Sequence, residues 1–179
     1  MPLRSMQPLM LALCLKNLGR RIMENNEIFF KGIIPPPIIF FALISIAFIA
    51  QWLFPLSLIF HKWSIRLIIG IPLFVSSGIV AISALIVMKK NKTAINFSNP
   101  TTKFIVDGAF RFTRNPLYLS LLLVMASTVV IANSAWHLIS SILLFLLFNF
   151  GVVAREEQYL ENCFGKEYIK YKNKVRRWI

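Results

Sequence analysis

The segment Leu117–Val153 runs for 37 residues without a Lys, Arg, Asp or Glu. About 20 apolar residues cross the roughly 30 Å hydrocarbon core of a bilayer, so this segment is too long for one spanning helix of ordinary tilt. Asn133 and Ser134 interrupt it with turn-forming side chains, which predicts a hairpin of two membrane-spanning helices. Trp136 and His137 are then expected near the membrane surface, where such rings are common. A catalytic base is the alternative role for His137.

Two further segments, Ile33–Phe60 and Leu67–Met88, are also apolar and uncharged. Hydrophobic residues make up 57% of the chain and charged residues 15%, whereas a soluble domain has about 25% charged residues. The 16 Phe residues are too many for a disordered chain. The sequence therefore predicts an all-α, multi-pass membrane bundle, with four transmembrane helices plus short interfacial helices.

The basic residues agree with this arrangement. Four spans place the N-terminus, the connection between the second and third spans, and the C-terminus on one side of the membrane. That side holds 18 of the 20 Lys and Arg residues. Because Lys and Arg are enriched in cytoplasmic loops, both termini are predicted to be cytoplasmic. An odd number of spans would remove the asymmetry.

Residues 1–30 precede the first span and are predicted to be a separate segment. Their apolar core is too short to span a membrane, and no clear small-residue cleavage site follows it. An interfacial helix is one prediction, because apolar residues recur at helical spacing: Leu11, Leu15, Leu18 and Ile22. A short, poorly ordered leader is the alternative. Residues 31–179 are predicted to form a single membrane domain.

The connection before the third span ends in a run of polar and aromatic residues. Pro116 suits the first turn of a helix, and Asn115 suits the N-cap position before it. Arg114 is less expected there, because a positive charge opposes the helix dipole at an N-terminus. Its position indicates a function such as binding an anion. Phe110 and Tyr118 are suited to flank a planar or cationic ligand.

Two adjacent acids, Glu156 and Glu157, follow the last apolar run. Negative charge is unfavourable at a helix C-terminus. The fourth helix is therefore predicted to continue into water, with the acids on its solvated face, and to stop at Gly165. A second short helix should then lie on anionic lipid headgroups. Four residues form one face of that helix: Tyr168, Tyr171, Val175 and Trp178.

Together the two polar regions resemble a known family. Gly108-Ala109-Phe110 followed by Arg114-Asn115-Pro116-Leu117-Tyr118 resembles its Arg-His-Pro-x-Tyr motif. Its C-terminal motif resembles Glu156-Glu157, Leu160, Phe164-Gly165, Tyr168 and Tyr171. This is the superfamily of isoprenylcysteine carboxyl methyltransferases and phospholipid methyltransferases, membrane enzymes that use S-adenosylmethionine. The resemblance covers residues 95–178.

The resemblance implies that residues 95–179 bind the cofactor at the cytoplasmic face. Glu156, with Glu157, would hold its amino or ribose end, and Arg114 and Glu156 are the predicted catalytic residues. Asn115 stands where eukaryotic members have His, and Asn forms hydrogen bonds but does not titrate. A binding role therefore suits this chain, and a general-base role does not. The remaining predicted cofactor contacts are Lys103, Phe104, Ile105, Phe110, Asn115, Pro116, Leu117 and Tyr118.

The predicted function is transfer of a methyl group from S-adenosylmethionine to a lipophilic or small hydrophobic acceptor, namely a carboxylate, an amine or a thiol. One alternative is a membrane reductase of related fold that uses a nicotinamide cofactor. The other is a non-enzymatic membrane protein that has kept the fold. The predicted partners are the lipid bilayer and the acceptor, without nucleic acid. No metal site is predicted, because Cys14 and Cys163 lack the spacing of metal ligands.

Overall fold

The computed structural model describes residues 35–59, 62–91 and 105–179. Lys103, Phe104 and the predicted leader, residues 1–30, lie outside the described residues. A 3₁₀ turn, Gly108–Arg111, and a π turn, Leu147–Val152, connect helices. The described residues contain no strand, and the predicted all-α class is confirmed. Their α-helices are α1 (Pro36–Leu53), α2 (Trp63–Lys90), α3 (Pro116–Ala132), α4 (Ala135–Leu146), α5 (Val153–Phe164) and α6 (Lys166–Lys174).

Three helical stretches of the described chain are long and apolar enough to cross a membrane: α1, α2, and the continuous stretch Ala135–Asn162 formed by α4, the π turn and most of α5. The other predicted span, α3, is apolar and 17 residues long. Large apolar side chains are exposed on the outside of the bundle, among them Phe41, Trp52 and Ile68. An exposed apolar surface of this extent suits a bilayer. The predicted membrane bundle is confirmed.

The hairpin turns at the predicted residues. Asn133 ends α3 in the left-handed conformation, with φ of 49°. Asn tolerates this conformation better than most residues. Ser134 is the N-cap of α4, and its hydroxyl accepts a hydrogen bond from the backbone N–H of His137. The two residues therefore break one apolar run into two antiparallel helices.

The segment after α1 holds this hairpin turn in place. The backbone N–H of Leu58 donates to the carbonyl of Asn133 at 2.9 Å, and that of Ala135 donates to the carbonyl of Leu56 at 3.0 Å. Trp136 Nε1 donates to the carbonyl of Phe54 at 2.7 Å. The segment after α1 and the hairpin turn thus form hydrogen bonds with each other's backbone groups, which lipid would leave without partners.

α2 and α3 pack closely at Gly70. The Ser127 hydroxyl donates to the Gly70 carbonyl at 2.9 Å. A Cβ atom at Gly70 would lie 2.4 Å from Ile131 Cγ1, so only glycine allows this approach. Small residues and serine hydroxyls commonly bring membrane helices together in this way.

α5 continues to Phe164 and ends before Gly165, which has φ of +51°, as predicted. The acids near its start are not on a solvated face, because Glu157 is only 4% exposed. In α6, Tyr168 and Tyr171 pack with Leu160 and Phe164 of α5. This aromatic face therefore contacts protein rather than lipid headgroups, because the bend at Gly165 folds α6 back onto the apolar side of α5.

Candidate functional site

The predicted site residues cluster at the end of the bundle opposite the hairpin turn. α3 has 17 residues, which at about 1.5 Å per residue separates its two ends by roughly 25 Å. His137 lies near the other end, fully buried with its ring 4.6 Å from that of Phe48. It is therefore remote from the cluster, and it is a buried side chain rather than an exposed interfacial one.

The 3₁₀ turn Gly108–Arg111 leads into the site and rests on α2. Gly108 has φ of +59°, and a Cβ atom there would lie 2.6 Å from Val87 Cγ2. Glycine is needed for both reasons. The turn places Phe110, which is half-buried, so that its carbonyl accepts a hydrogen bond from Tyr171 at 2.6 Å. Burial raises the pKa of the Tyr171 hydroxyl, so this donor keeps its proton at neutral pH.

Tyr118 and Glu156 join the two sequence motifs directly. The Tyr118 hydroxyl donates to Glu156 Oε2 at 2.8 Å, across 38 residues of chain. Tyr118 lies in the first turn of α3, and Glu156 lies in the first turn of α5. The Tyr118 ring packs edge-on against Phe148, with centroids 5.3 Å apart. The two predicted residues are thus brought into contact because α3 and α5 both begin at the same end of the bundle.

Glu157 is bound by two arginines. Arg114 Nη1 lies 3.0 Å from Glu157 Oε1. Arg177 donates from Nε to the same oxygen at 3.0 Å and from Nη2 to Oε2 at 2.7 Å. Paired arginine N–H groups match the two oxygens of a carboxylate. A buried carboxylate needs such partners, because an unpaired charge is costly inside a protein. The positive charge at the start of α3 is therefore balanced from α5.

Arg114 itself is buried, with 9% of its side chain exposed. Its Nε and Nη1 make no hydrogen bond with acceptable geometry to any described residue, although Nη1 is close to Glu157. Burial raises the pKa of Tyr168 to about 12, and the charge of Glu157 adds to this, while the charge of Arg114 and its hydrogen bond act against it. Arg114 thus lies in a buried group of aromatic and charged residues, and its Nε donor has no acceptor among the described residues.

Asn115 occupies the N-cap position of α3, as predicted, but its side chain does not cap the helix. Its Nδ2 instead donates to the backbone carbonyl of Arg177 at 3.2 Å. The Thr113 hydroxyl donates to the same carbonyl at 3.0 Å. The Asn115 side chain therefore fastens the C-terminal segment to the start of α3.

The remaining predicted residues border this cluster. Pro116 is buried in the first turn of α3, where its ring costs no hydrogen bond. Leu117 is half-buried beside it, and Ile105 is half-buried ahead of the 3₁₀ turn. The roles predicted for them as cofactor contacts stay predictions.

Asn149, Arg177 and Trp178 belong to the cluster but are not among the predicted site residues. The prediction that Trp178 lies on the lipid-facing side of the last helix is wrong, because α6 ends at Lys174 and Trp178 lies beyond it. Asn149 Oδ1 accepts from Arg177 Nη1 and from Trp178 Nε1, both at 3.1 Å. A signal for Asn149 exists in the sequence, because a carboxamide inside an apolar membrane segment needs a partner. The sequence does not say that the partner comes from 28 residues further along the chain.

The chain is similar to known proteins over the part that contains most of this cluster. A family model described as phospholipid methyltransferase matches residues 65–167. That range covers α2 to the start of α6, and it ends before Arg177. An uncharacterized protein of Haemophilus influenzae is 51% identical over 65 residues, which is its whole length and 35% of this chain. No solved structure matches the chain significantly.

Proposed function

This chain belongs to the phospholipid methyltransferase family, and from that membership we propose that it transfers a methyl group from S-adenosylmethionine to a lipophilic acceptor at the cytoplasmic membrane face. Membership supports a methyltransferase that acts on membrane lipid-type substrates. The observation that carries the finer proposal is the hydrogen bond between Tyr118 and Glu156. It brings the two sequence motifs together at one end of a bundle of apolar helices.

The residues present fit this cofactor. It carries a carboxylate, an ammonium group, a diol and a cationic sulfur. The buried N–H donors of Arg114 suit the carboxylate. Glu156 suits the ammonium group or the diol. The faces of Phe110 and Tyr118 suit a cationic sulfur or an adenine ring. Glu157 already has both oxygens on arginines, so its proposed role is to hold Arg114.

When bound, S-adenosylmethionine would supply a methyl group on a cationic sulfur, which would leave with the C–S electron pair as a lone pair of the acceptor takes the methyl group. The protein's residues orient and shield the reactants. Orientation is a large part of the rate enhancement for a bimolecular displacement. Asn115 has no proton that titrates near neutral pH, so the acceptor's nucleophilic atom does not lose a proton to that side chain.

The cytoplasmic location rests on charge. The connection before α3 and the C-terminal segment lie at one end of the bundle, where the Arg114 N–H donates to the Arg176 carbonyl at 3.0 Å. Residues 1–35, 89–114 and 155–177 together contain 18 of the 20 basic residues. Such an excess favours the cytoplasmic side. A lipophilic acceptor would reach this end from the surrounding bilayer.

Calorimetric titration of the purified protein with S-adenosylmethionine tests the cofactor assignment. We expect Glu156→Ala and Asn115→Ala to weaken binding about tenfold or more, since lost hydrogen bonds to charged groups cost about 1.5–3 kcal/mol. Glu161→Ala is the matched control, because Glu161 lies on the same helix in an exposed ion pair with Lys172. Unchanged affinity in both test variants overturns the site assignment.

A wild-type protein that does not bind S-adenosylmethionine would instead favour the non-enzymatic protein or the nicotinamide-dependent reductase. The acceptor is identified by incubating the protein with radiolabelled cofactor and a membrane lipid extract. Label is expected in a lipid fraction. The chemistry of the labelled compound then distinguishes a carboxylate, an amine and a thiol acceptor.

A further inference from the structure

We propose that Asn149 and Arg177 are positioning residues of the methyl-transfer site, and that they act by holding Glu157 so that Arg114 presents its N–H groups to an anionic part of the cofactor. This inference rests on the proposed function. Neither residue belongs to the two sequence motifs, and Arg177 lies beyond the part of the chain that the family model matches.

The first step is the path of the C-terminal segment. Residues 176–178 cross the start of α3, where the Arg176 carbonyl accepts from the Arg114 N–H and the Arg177 carbonyl accepts from Thr113 and Asn115. The Trp178 ring lies against Phe145 of α4, with centroids 5.7 Å apart. The segment is thereby fastened to two helices, and its side chains reach the site from outside the motifs.

The second step is the π turn. Successive residues of an α-helix are about 100° apart, so Asn149 and Glu157, eight positions apart, would differ by about 80° in a regular helix. A π turn takes about one residue more than an α-helical turn, which reduces the difference to about 20°. Leu147–Val152 is such a turn. It places Asn149 and Glu157 on one face, where Arg177 hydrogen-bonds to both.

The third step is the division of charge. Arg177 uses Nε and Nη2 on the two oxygens of Glu157, and Nη1 on Asn149. Its hydrogen bonds to Glu157 raise the pKa of Arg177, so it stays charged. Arg177 already binds both oxygens of the carboxylate, and Arg114 approaches one of them through Nη1. The Nε group of Arg114 makes no hydrogen bond to the described residues.

Removal of the Asn149 acceptor should therefore act on cofactor binding through Arg114. Without it, Arg177 Nη1 and Trp178 Nε1 both lose their acceptor, and the Arg177 fork is no longer fixed against Glu157. Arg114 is then drawn more fully onto the carboxylate. The expected signature is a rise in the KM for the cofactor with little change in kcat, since no group that contacts the reacting atoms is altered.

The test uses the purified full-length protein, with calorimetric Kd for S-adenosylmethionine, KM, kcat and thermal unfolding measured in parallel. Asn149→Leu should raise Kd and KM about tenfold, equivalent to about 1.4 kcal/mol. Asn149→Asp keeps an acceptor oxygen and should stay within about twofold of wild type. Phe150→Leu is the matched control, because Phe150 is in the same π turn but is exposed. It should leave Kd unchanged.

Two further variants cover the case in which Asn149→Leu does not fold. Trp178→Phe removes one donor and keeps the ring, and should raise KM about threefold, a smaller change than loss of both hydrogen bonds. Arg177→Lys keeps the charge but loses the fork, and should raise KM about tenfold. Wild-type affinity in both variants, or in Asn149→Leu, overturns the inference. Equal damage from Asn149→Leu and Asn149→Asp also overturns it. Lack of binding by the wild-type protein overturns the proposed function as well.

Discussion

Glu157 is an acidic residue that is only 4% exposed, and its carboxylate lies between Arg114 and Arg177. From the sequence alone, an acid in this place and an Arg at the start of a helix are both unfavourable. In the folded chain each compensates for the other. A misplaced charge in a sequence is therefore informative, because it points to a partner that only the tertiary structure identifies.

The stability contributed by this cluster can be tested with Glu157→Gln. Its buried carboxylate forms ion pairs with both Arg114 and Arg177, and breaking a buried pair costs about 3–5 kcal/mol. The matched control is Glu161→Gln, which breaks an exposed pair with Lys172 and should cost about 0–1 kcal/mol. Thermal unfolding in detergent measures both. Equal losses would show that burial does not set the strength of the Glu157 pair.

A second prediction at this scale concerns the hydroxyl of Tyr118. Tyr118→Phe removes the donor to Glu156 and leaves that carboxylate without it, which should lower stability by about 1–3 kcal/mol and weaken cofactor binding. Ser120→Ala is the control, because the Ser120 hydroxyl donates to the Leu117 carbonyl of its own helix. Cofactor affinity equal in Tyr118→Phe and wild type would remove Tyr118 from the site.

The helices and their limits follow from local sequence to a large extent. Pro36 and Pro116 begin α1 and α3 within their first turns, and Asn133 and Gly165 end α3 and α5 with positive φ. These features depend on each residue's own conformational preferences. The π turn in the fourth predicted span lies inside an uncharged run that contains Asn149, and average hydrophobicity does not indicate it.

At the scale of elements, the packing of the 3₁₀ turn against α2 can be tested at Gly108. Gly108→Ala should destabilise the protein by about 1–3 kcal/mol, because a side chain is strained at positive φ and its Cβ would contact Val87. Gly78→Ala is the matched control in α2, where a Cβ meets nothing within 4 Å. That change should be neutral or stabilising by up to about 1 kcal/mol. Thermal unfolding of both variants, and of Gly108→Ala combined with Val87→Ala, separates strain from collision.

If Val87→Ala restores all the lost stability of Gly108→Ala, collision alone explains the glycine. Partial recovery is expected, because shortening Val87 leaves the backbone at φ of +59°. If Gly108→Ala loses no stability, the close packing of the 3₁₀ turn against α2 is contradicted.

For the whole molecule, the antiparallel order of the helices and the sorting of basic residues make a joint prediction. Positions in the connection before α3 and in α6 should face the cytoplasm, and the segment between α1 and α2 should face the other side. Exposed positions for single cysteines are Arg111, Lys170 and Lys62, in a chain whose Cys14 and Cys163 are replaced by Ser.

A membrane-impermeant maleimide applied to intact spheroplasts should label Lys62→Cys, and Arg111→Cys and Lys170→Cys only after the membrane is opened. Labelling of Arg111→Cys and Lys170→Cys from opposite sides would contradict the fold, because both positions belong to one end of the bundle. Labelling of both from outside would reverse the orientation and leave the fold intact.

The sequence by itself determined the membrane class, the apolar segments, the hairpin turn and the convergence of two motifs on one side. These depend on sums of side-chain transfer energies and on local backbone preferences, which are properties of short segments. Tertiary structure decided which side chains meet. Asn115 holds the Arg177 carbonyl rather than capping α3, and the Tyr168 face of α6 is buried rather than on lipid. The first outcome depends on the C-terminal segment returning to the start of α3, 62 residues earlier in the chain. The second depends on the bend at Gly165, which packs α6 against α5. Neither contact leaves a periodicity in the sequence, because both depend on the direction that the chain takes after a helix ends.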